Sequence, residues 1–373
     1  VARDVEVNDG EFVSFTVNNI KPGGSGYDLE LWLKADQLQY TLPANGTPVS
    51  SWMDVSGNGR DAIQATANVR PTFSTTGKLR SYQPSVNFTA LAQRLRTNNP
   101  INPVGSNRSY YVFYVTEHTG SLTSTTPGTV YALGSTNMQG WRSSYPFLSK
   151  NSLTSTSSGI VFPAKPGARK RYGVIGAIRP NDGTTVDRII FDGNSQYGTN
   201  NALMTGSSSG YIGSSNDSDG YPLLGNVQEI AVLSTNSRGD IDPIEVQKIN
   251  TYFGLKYGIS IETGDYLNGR GEVIWERSAQ GKYVNRIFGL GRDDRSGLYQ
   301  KQASCYDESV FSVYLDELAD LNINNKGKLE EREFMIFAAR NTNNFWTGKG
   351  FAPGTSFNNT TLAPDEEITL VNN

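Results

Sequence analysis

The sequence predicts an all-β protein with antiparallel sheets. The chain holds 39 glycines, 16 prolines and 19 tyrosines, while charged residues make up only 18%. This composition favours many short strands joined by turns over a helical or disordered chain. Apolar residues also alternate with polar ones in short runs that turn residues separate, and repeated runs of this kind are typical of a β-sandwich.

The alternating runs are the predicted strands of the sandwich. In the second of these runs, alternation places Leu29, Leu31 and Leu33 on one face of a strand and Trp32 on the other. The runs cover residues 11–17, 28–35, 109–118, 171–178, 187–193 and 226–234.

One segment, residues 240–258, breaks this pattern and predicts a single amphipathic helix packed on the sandwich. Asp242 can cap its start, and Pro243 suits the first turn. Val246, Ile249, Tyr252 and Phe253 provide an apolar face. Glu245 places an acid near the positive end of the helix, and Gly258 provides the stop.

A second group of runs follows the helix and predicts a smaller β domain. These runs cover residues 271–278, 285–294, 308–317 and 332–340. We therefore divide the chain into a leading strand and linker (1–25), a sandwich (26–261) and a small C-terminal β domain (262–373). The tail after residue 340 shows no clear last strand, and we expect the chain to be a piece of a longer protein.

Charge and hydropathy argue against several function classes. The net charge is −3 and no basic block occurs, so a nucleic-acid surface is not expected. No run of about 18 apolar residues that could span a bilayer is present. Cys305 is the only cysteine, which excludes an intrachain disulfide. Val1 is not an initiator methionine, so we expect a processed chain.

A series of short motifs occurs in one order along residues 26–261. They are LELWLKAD, VSSWMDVSGNGRDAIQ, RPTF, PSVNF, GYIGSS, GNVQEIAVLS and IEVQKINTYFGLKYGIS. Together they resemble the concanavalin A-like, laminin-G-type jelly rolls of bacterial surface proteins. The resemblance implies two antiparallel sheets, a secreted or cell-surface location and a binding or adhesive role. The later segment DYLNGRGEVIW…IFGLGRDDRSGLYQKQAS resembles the small β domain that often follows this module in proteins exported by the type IX system.

Because β-glucanases share the fold that this resemblance implies, a catalytic alternative needs testing. Retaining glycosidases use two carboxylates roughly 5 Å apart, and the glucanase relatives carry them in a Glu-x-Asp-x-x-Glu run. No such run occurs here, since 226–234 offers only Glu229, and the acids of 316–320 and 329–334 are interpreted as turns or solvated faces. His118 and Cys305 lack nucleophile or metal-ligand spacing and are interpreted as structural.

The bend at residues 50–65 carries two aspartates, an asparagine and two glycines. Short Asx side chains bond the backbone locally and Asn-Gly accepts positive φ, so we predict a turn that sets the register of two strands. Trp52 and Ile63 would pack on those strands. The alternative is a calcium site, but the alternating acids and bidentate Glu of a calcium loop are absent.

A second oxygen-rich loop, residues 214–221, is a better candidate for calcium. Asn216, Asp217 and Asp219 provide amide and carboxylate oxygens at close spacing, as hard cations require. Calcium is therefore the expected cofactor, if the chain binds one.

Three loops carry the residue types of a sugar site, which needs an aromatic face and planar hydrogen-bonding groups. In the first loop, residues 137–145, Trp141 could stack on a pyranose ring beside Asn137 and Arg142. The alternative interpretation is that these aromatic side chains fill loop cores. The candidate ligand-binding residues are Asn137, Trp141, Arg142, Tyr145, Tyr197 and Tyr221.

The sequence favours a non-catalytic binding module of a secreted or surface-anchored bacterial protein, with a glycan or a host or cell-surface ligand as its partner. Two alternatives stay open. The first is a glycoside hydrolase of the same fold, in which Glu229 or Asp219 would be essential. The second is a spacer or protein-adhesion domain without sugar affinity.

Overall fold

A computed structural model gives the structure of the chain. The predicted strand at 11–17 lies outside the residues that it describes. The described residues are 20–76, 81–101, 108–120, 127–134, 137–142, 145–150, 159–161, 172–180, 182–198, 208–218, 220–235, 239–281, 283–305, 312–340 and 371–372.

Two large antiparallel sheets form the first part of the chain, which confirms the predicted all-β sandwich. In the described residues the first sheet has the order β14-β13-β12-β7-β16-β5-β4, with β1 also paired to β16. The second sheet has the order β11-β10-β9-β8-β15-β6-β3-β2. The strands are β1 (Asp28–Lys34), β2 (Ser51–Trp52), β3 (Ala62–Ile63), β4 (Thr72–Ser74), β5 (Ser85–Phe88), β6 (Leu95–Thr97), β7 (Tyr110–His118), β8 (Pro127–Leu133), β9 (Asn137–Arg142), β10 (Tyr145–Lys150), β11 (Gly159–Val161), β12 (Tyr172–Arg179), β13 (Arg188–Phe191), β14 (Asn194–Tyr197), β15 (Gly210–Ile212) and β16 (Gly225–Ser234).

The core between the sheets is built from alternate residues of the facing strands. Leu31, Leu33 and Val232 from the first sheet and Trp52 and Tyr131 from the second belong to one buried cluster. Since successive side chains of a strand point to opposite faces, the other residues of β1 and β16 form a second, outer surface of the first sheet. That outer surface is buried as well.

The alternation predicted for β1 is wrong at one residue. Leu31 and Leu33 face the sandwich core, but Leu29 packs in the outer cluster together with Trp32. The cause is a register shift between Leu29 and Leu31 where β1 pairs with β16. A bulge of this kind adds one residue and reverses the faces that precede it.

The predicted helix is confirmed as α1 (Pro243–Tyr257). The Asp242 carboxylate accepts a hydrogen bond from the backbone N–H of Ile244 at 2.8 Å, which satisfies one of the free donors of the first turn. Gly258 ends the helix in the left-handed conformation, with φ of 63°.

The sequence predicts one edge helix with a single apolar face, but most of α1 is buried. Even polar residues such as Asn250 and Thr251 are buried. Ile249 and Phe253 belong to a cluster that joins the outer face of the first sheet to Tyr266 and Trp275 of the C-terminal part. The helix therefore lies between two β layers, which explains why apolar residues surround it on more than one side.

The C-terminal part consists of short antiparallel strands, four of which match the predicted runs. A pairing between β23 and β24 supplies a last strand that the sequence did not predict. The proposed boundary between 261 and 262 stays a prediction. The strands are β17 (Tyr266–Leu267), β18 (Val273–Trp275), β19 (Tyr283–Asp293), β20 (Leu298–Gln300), β21 (Gln302–Ser304), β22 (Ser312–Tyr314), β23 (Phe334–Arg340) and β24 (Val371–Asn372).

Candidate functional site

The predicted sugar-stacking residue Trp141 is fully buried in the sandwich core. Its indole lies 6.4 Å from the ring of His118, nearly parallel, and meets the ring of Phe191 edge-on at 5.8 Å. The segment read as a loop is in fact β9, and the alternation of this strand turns Trp141 inward. The stacking role predicted for Trp141 does not fit this structure, because neither ring face is open to a ligand.

Asn137, Arg142 and Tyr145 belong to the neighbouring strands β9 and β10, where Arg142 is the register partner of Tyr145. Their side chains lie outside the described part of the chain.

The remaining predicted aromatic residues, Tyr197 and Tyr221, lie against different sheets. Tyr197 on β14 is 54% exposed, and the guanidinium of Arg188 lies 5.5 Å from its ring centre. Tyr221 packs with Tyr211 against a small cluster that includes Met138 of the second sheet. No single ligand face is evident from these two placements.

The predicted calcium ligands are engaged in other contacts where the structure describes them. The side-chain oxygen of Asn216 accepts hydrogen bonds from the backbone N–H groups of Ser218 and Gly220, at 2.7 and 3.1 Å. Asp217 forms an ion pair with Arg96 at 2.9 Å. Asp219 lies outside the described residues, so calcium at this loop stays a prediction.

The bend at 50–65 has the predicted structural role, since it joins β2 to β3. The Asp54 carboxylate accepts hydrogen bonds from the backbone N–H groups of Trp32, Ser56 and Arg60 at 2.9 to 3.0 Å. Asp61 in turn accepts one from the N–H of Asp54 at 2.8 Å. These oxygens therefore hold the backbone of the bend.

The packing predicted for this bend is correct at one residue only. Trp52 is fully buried, whereas Ile63 is 42% exposed and its neighbour Ala62 occupies the buried position.

An open cleft of about 920 Å³ lies where the segment 36–45 faces the segment 320–324 of the C-terminal part. Tyr40 is one of its lining residues and is 99% exposed. Amide side chains of Gln37, Gln39 and Asn324 line the cleft together with Asp320. An exposed ring surrounded by planar hydrogen-bonding groups is the set that a sugar site requires.

Both walls of this cleft are anchored by backbone contacts. Leu38 is fully buried, and its carbonyl accepts a hydrogen bond from the N–H of Met53 at 2.9 Å, so the chain next to Tyr40 is fixed. On the opposite wall, the N–H of Asn322 donates to the carbonyl of Tyr82 at 2.9 Å, and its side-chain oxygen accepts from the N–H of Lys301 at 2.7 Å.

A smaller recess of about 330 Å³ adjoins the cleft. We call it the lysine pocket, because Lys34, Lys256 and Lys301 line it together with Asp36. Asp36, Gln37 and Ile323 line both spaces, so the lysine pocket and the cleft share a wall.

A fully buried carboxylate, Glu229, lies behind the lysine pocket. One oxygen accepts hydrogen bonds from Trp32 Nε1 at 2.6 Å and from the Tyr252 hydroxyl at 2.9 Å. The other accepts from Lys256 Nζ and from the Tyr257 hydroxyl, both at 2.7 Å. The helix supplies three of these four donors, so the carboxylate ties α1 to strand β16.

The charges around Asp36 keep this carboxylate ionised. Lys256 Nζ contacts Asp36 at 3.1 Å. Burial would raise the pKa of Asp36, but the ammonium groups of Lys256 and Lys34 outweigh burial and hold that pKa below its usual value. Burial lowers the pKa of Lys256, but Asp36 and Glu229 outweigh it, and the pKa of Lys256 is raised.

Sequence reasoning missed this site for an identifiable reason. Glu229 stands in an otherwise apolar strand run, and Lys256 follows Tyr252 by four residues on a helix that was read only for its apolar face. Lys34 is the register partner of Glu229 across β1 and β16. A lone acid inside an apolar strand and a lysine on the buried face of a helix were the available signals.

The described residues contain no group of three or more His, Cys, Asp or Glu side chains close enough to hold a metal ion. None of the helices in the same residues has the length and apolar character needed to cross a bilayer.

Comparison with known proteins gives one family match. A family model described as a domain of unknown function (DUF8202) matches residues 245–362, from the first turn of α1 into the C-terminal part. No curated protein matches the chain.

Among solved structures, the chain is similar to domain 4 of AbnA, a GH43 extracellular arabinanase from Geobacillus stearothermophilus in complex with arabinotriose. The identity is 14%, over 60% of this chain and 98% of that domain, with a TM-score of 0.39. The ligand-binding domain of botulinum neurotoxin serotype D in complex with N-acetylneuraminic acid matches at 11% identity, over 86% and 73%, with a TM-score of 0.43.

A sialidase from Trypanosoma rangeli in complex with sialic acid matches at 15% identity, over 60% of this chain and 32% of the sialidase, with a TM-score of 0.34. At TM-scores of this size, the three similarities support no inference about what this chain binds.

Proposed function

We propose that this chain is a non-catalytic carbohydrate-binding module of a secreted or cell-surface protein, and that the cleft at Tyr40 is its binding site. The observation that carries the proposal is Tyr40, a residue that is 99% exposed and lines an open cleft of about 920 Å³, so that its ring is free to contact a ligand. Aromatic rings stack on the apolar face of a sugar, while amides and carboxylates bond its hydroxyl groups.

The cleft has the polar groups that such binding needs. Gln37, Gln39 and Asn324 can each donate and accept a hydrogen bond, and Asp36 and Asp320 accept only. The contacts of Leu38 and Asn322 hold the backbone of both walls, so the backbone needs no ordering when a ligand arrives.

Binding without cleavage is favoured by the state of the acids on this side of the molecule. A general acid for glycoside hydrolysis needs a raised pKa, whereas the pKa of Asp36 is lowered by the adjacent lysines. Glu229, one of the two acids named for the hydrolase alternative, is fully buried and bonded by four donors.

The experiment compares glycan binding by the wild-type chain with binding by Tyr40→Ala on a printed glycan array, followed by calorimetry on the best glycan. We expect Tyr40→Ala to weaken binding by about five- to thirtyfold, since a stacked aromatic contact is worth roughly 1–2 kcal/mol. Tyr314→Ala is the matched control, because Tyr314 is 49% exposed and is not among the lining residues of the cleft.

Three results would contradict the proposal. The first is a wild-type chain that binds no glycan on the array, as the spacer alternative expects. The second is a Tyr40→Ala variant that binds as tightly as wild type while Tyr197→Ala binds more weakly. That result would place the site at Tyr197, as the sequence predicted. The third is reducing sugar released from a bound polysaccharide, which would indicate the hydrolase.

A further inference from the structure

We propose that the lysine pocket binds one carboxylate group, so that the glycan taken by the cleft is an acidic one. This inference rests on the proposed function and goes further, because it names the class of sugar. It follows from the charges of the pocket, from the position of Lys34 and from the wall that the pocket shares with the cleft.

The pocket carries an excess of positive charge. Three ammonium groups, those of Lys34, Lys256 and Lys301, line it, and two carboxylates, Asp36 and Glu229, face them from its wall and from behind. Lys256 takes both carboxylates as partners, at 3.1 and 2.7 Å. Three ammonium groups and two carboxylates have a net charge of +1, which matches one monoanionic group, and Lys34 and Lys301 are the two ammonium groups outside these ion pairs.

Lys34 is buried and forms no ion pair among the described residues. Its residue is only 5% exposed, and Asp36 and Glu229 act on it without direct contact. Its Nζ lies 4.7 Å from the ring centre of Trp32, a weaker contact than a carboxylate would provide. A buried ammonium outside an ion pair is costly, so an incoming carboxylate in direct contact recovers free energy that the free protein lacks.

The surroundings of Lys34 also favour the binding of an anion. Burial and the neighbouring Lys256 together lower the pKa of Lys34, against the opposite effects of Asp36 and Glu229. A bound carboxylate would oppose both causes by adding a negative charge beside the amine.

A second lysine of the pocket, Lys301, also forms no ion pair among the described residues. Lys301 lies 5.4 Å from the ring centre of Tyr299, a half-exposed ring that also lines the pocket. Its Nζ donates to the carbonyl of Asn325. Lys301 has a neutral acceptor but no carboxylate within the part of the chain that the structure describes.

A ligand can reach both spaces at once. Asp36, Gln37 and Ile323 line the cleft as well as the pocket. A saccharide whose ring stacks on Tyr40 can therefore extend a neighbouring residue toward Lys34. A sugar with a ring carboxylate supplies both the hydroxyl groups for the cleft and the anion for the pocket.

The test uses matched acidic and neutral saccharides on the full chain: trigalacturonate with its methyl ester, and sialyllactose with lactose. Calorimetry measures each affinity for wild type, Lys34→Gln and Lys301→Gln, at constant ionic strength because charge attraction is screened by salt. We expect at least one acidic member to bind about tenfold or more tightly than its neutral partner, as for loss of a charged hydrogen bond.

Lys34→Gln should remove that preference and leave the affinity for the neutral partner unchanged. Lys301→Gln provides the same test at a less buried position, in case Lys34→Gln lowers the yield of folded protein. Lys326→Gln is the control, since it removes the same charge from an exposed residue outside the pocket.

Equal affinities within both pairs would overturn the inference, and so would an acidic preference that survives Lys34→Gln and Lys301→Gln together. If neutral glycans bind and depend on Tyr40 while no acidic preference exists, the inference fails and the proposed function stands. If the chain binds no glycan at all, the proposed function fails and the inference falls with it.

Discussion

The network around Glu229 makes a stability prediction whose size follows from its geometry. In Glu229→Gln, one carboxylate oxygen is replaced by an NH₂ group that can only donate. Whichever oxygen is replaced, the new group faces two donors, either Trp32 and Tyr252 or Lys256 and Tyr257. The tyrosine hydroxyl in each pair can turn and accept from the new group, but Trp32 Nε1 and Lys256 Nζ only donate. The hydrogen bond from Trp32 or from Lys256 is therefore lost, and Lys256 keeps only Asp36 as an anion.

The lost hydrogen bond to a charged group contributes about 1.5–3 kcal/mol, and the remaining bonds weaken because their acceptor is now neutral, so we expect a cost of about 3–5 kcal/mol. The same range is expected when one partner of a buried ion pair is removed. Because Glu229 is fully buried, water cannot replace the lost contacts, and the whole cost should appear in the free energy of unfolding.

Urea unfolding at neutral pH measures this cost as the shift of the midpoint at constant slope. Asp217→Asn is the matched control, since its ion pair with Arg96 is about half exposed on both sides and should contribute less than about 1 kcal/mol. If Glu229→Gln costs no more than Asp217→Asn, the network does not stabilise the helix on the sheet and the reasoning is refuted.

Three further predictions concern single residues. Trp141→Ala should lower the free energy of unfolding by about 3–5 kcal/mol, as for a buried tryptophan, yet leave glycan affinity of the folded protein unchanged; a selective loss of affinity in calorimetry would restore its predicted sugar role. Asp36, whose pKa is held below 3.8, contributes stability that is full above that pH and is lost as the pH falls through its folded-state pKa. The free energy of unfolding of Asp36→Asn, measured in urea, should therefore fall less steeply at acid pH than that of the wild type. The same pH dependence in both proteins would contradict the pairing of Asp36 with Lys256. Calcium at Asn216, Asp217 and Asp219 predicts that adding CaCl₂ to EDTA-treated protein raises the Tm and that Asp217→Asn abolishes the rise; an unchanged Tm excludes that site.

Local patterns in the sequence were sufficient to predict the strands of the sandwich and the helix. Aromatic and β-branched residues in 109–118 and the apolar run at 226–234 predicted β7 and β16, and the residues Asp242 and Gly258 marked the two ends of α1. Each of these signals depends on neighbours close in sequence. The bulge after Leu29 could not be read from alternation, because it arises from the register with β16.

The site could not be predicted because its parts come from distant segments. Trp32 and Glu229 meet although 197 positions separate them, and α1 completes their contacts. Trp141 shows the reverse error, since a polar, aromatic stretch looked like an exposed loop but forms a strand with its indole inward. Tyr40 carries no local signal that separates an exposed ring from a buried one.

The most direct test of the account is a co-crystal structure of the chain with the glycan that binds best. The account predicts a sugar ring stacked on Tyr40 and a carboxylate within hydrogen-bonding distance of Lys34 Nζ. A saccharide bound beside Tyr197 or Tyr221, with the cleft at Tyr40 unoccupied, would contradict it.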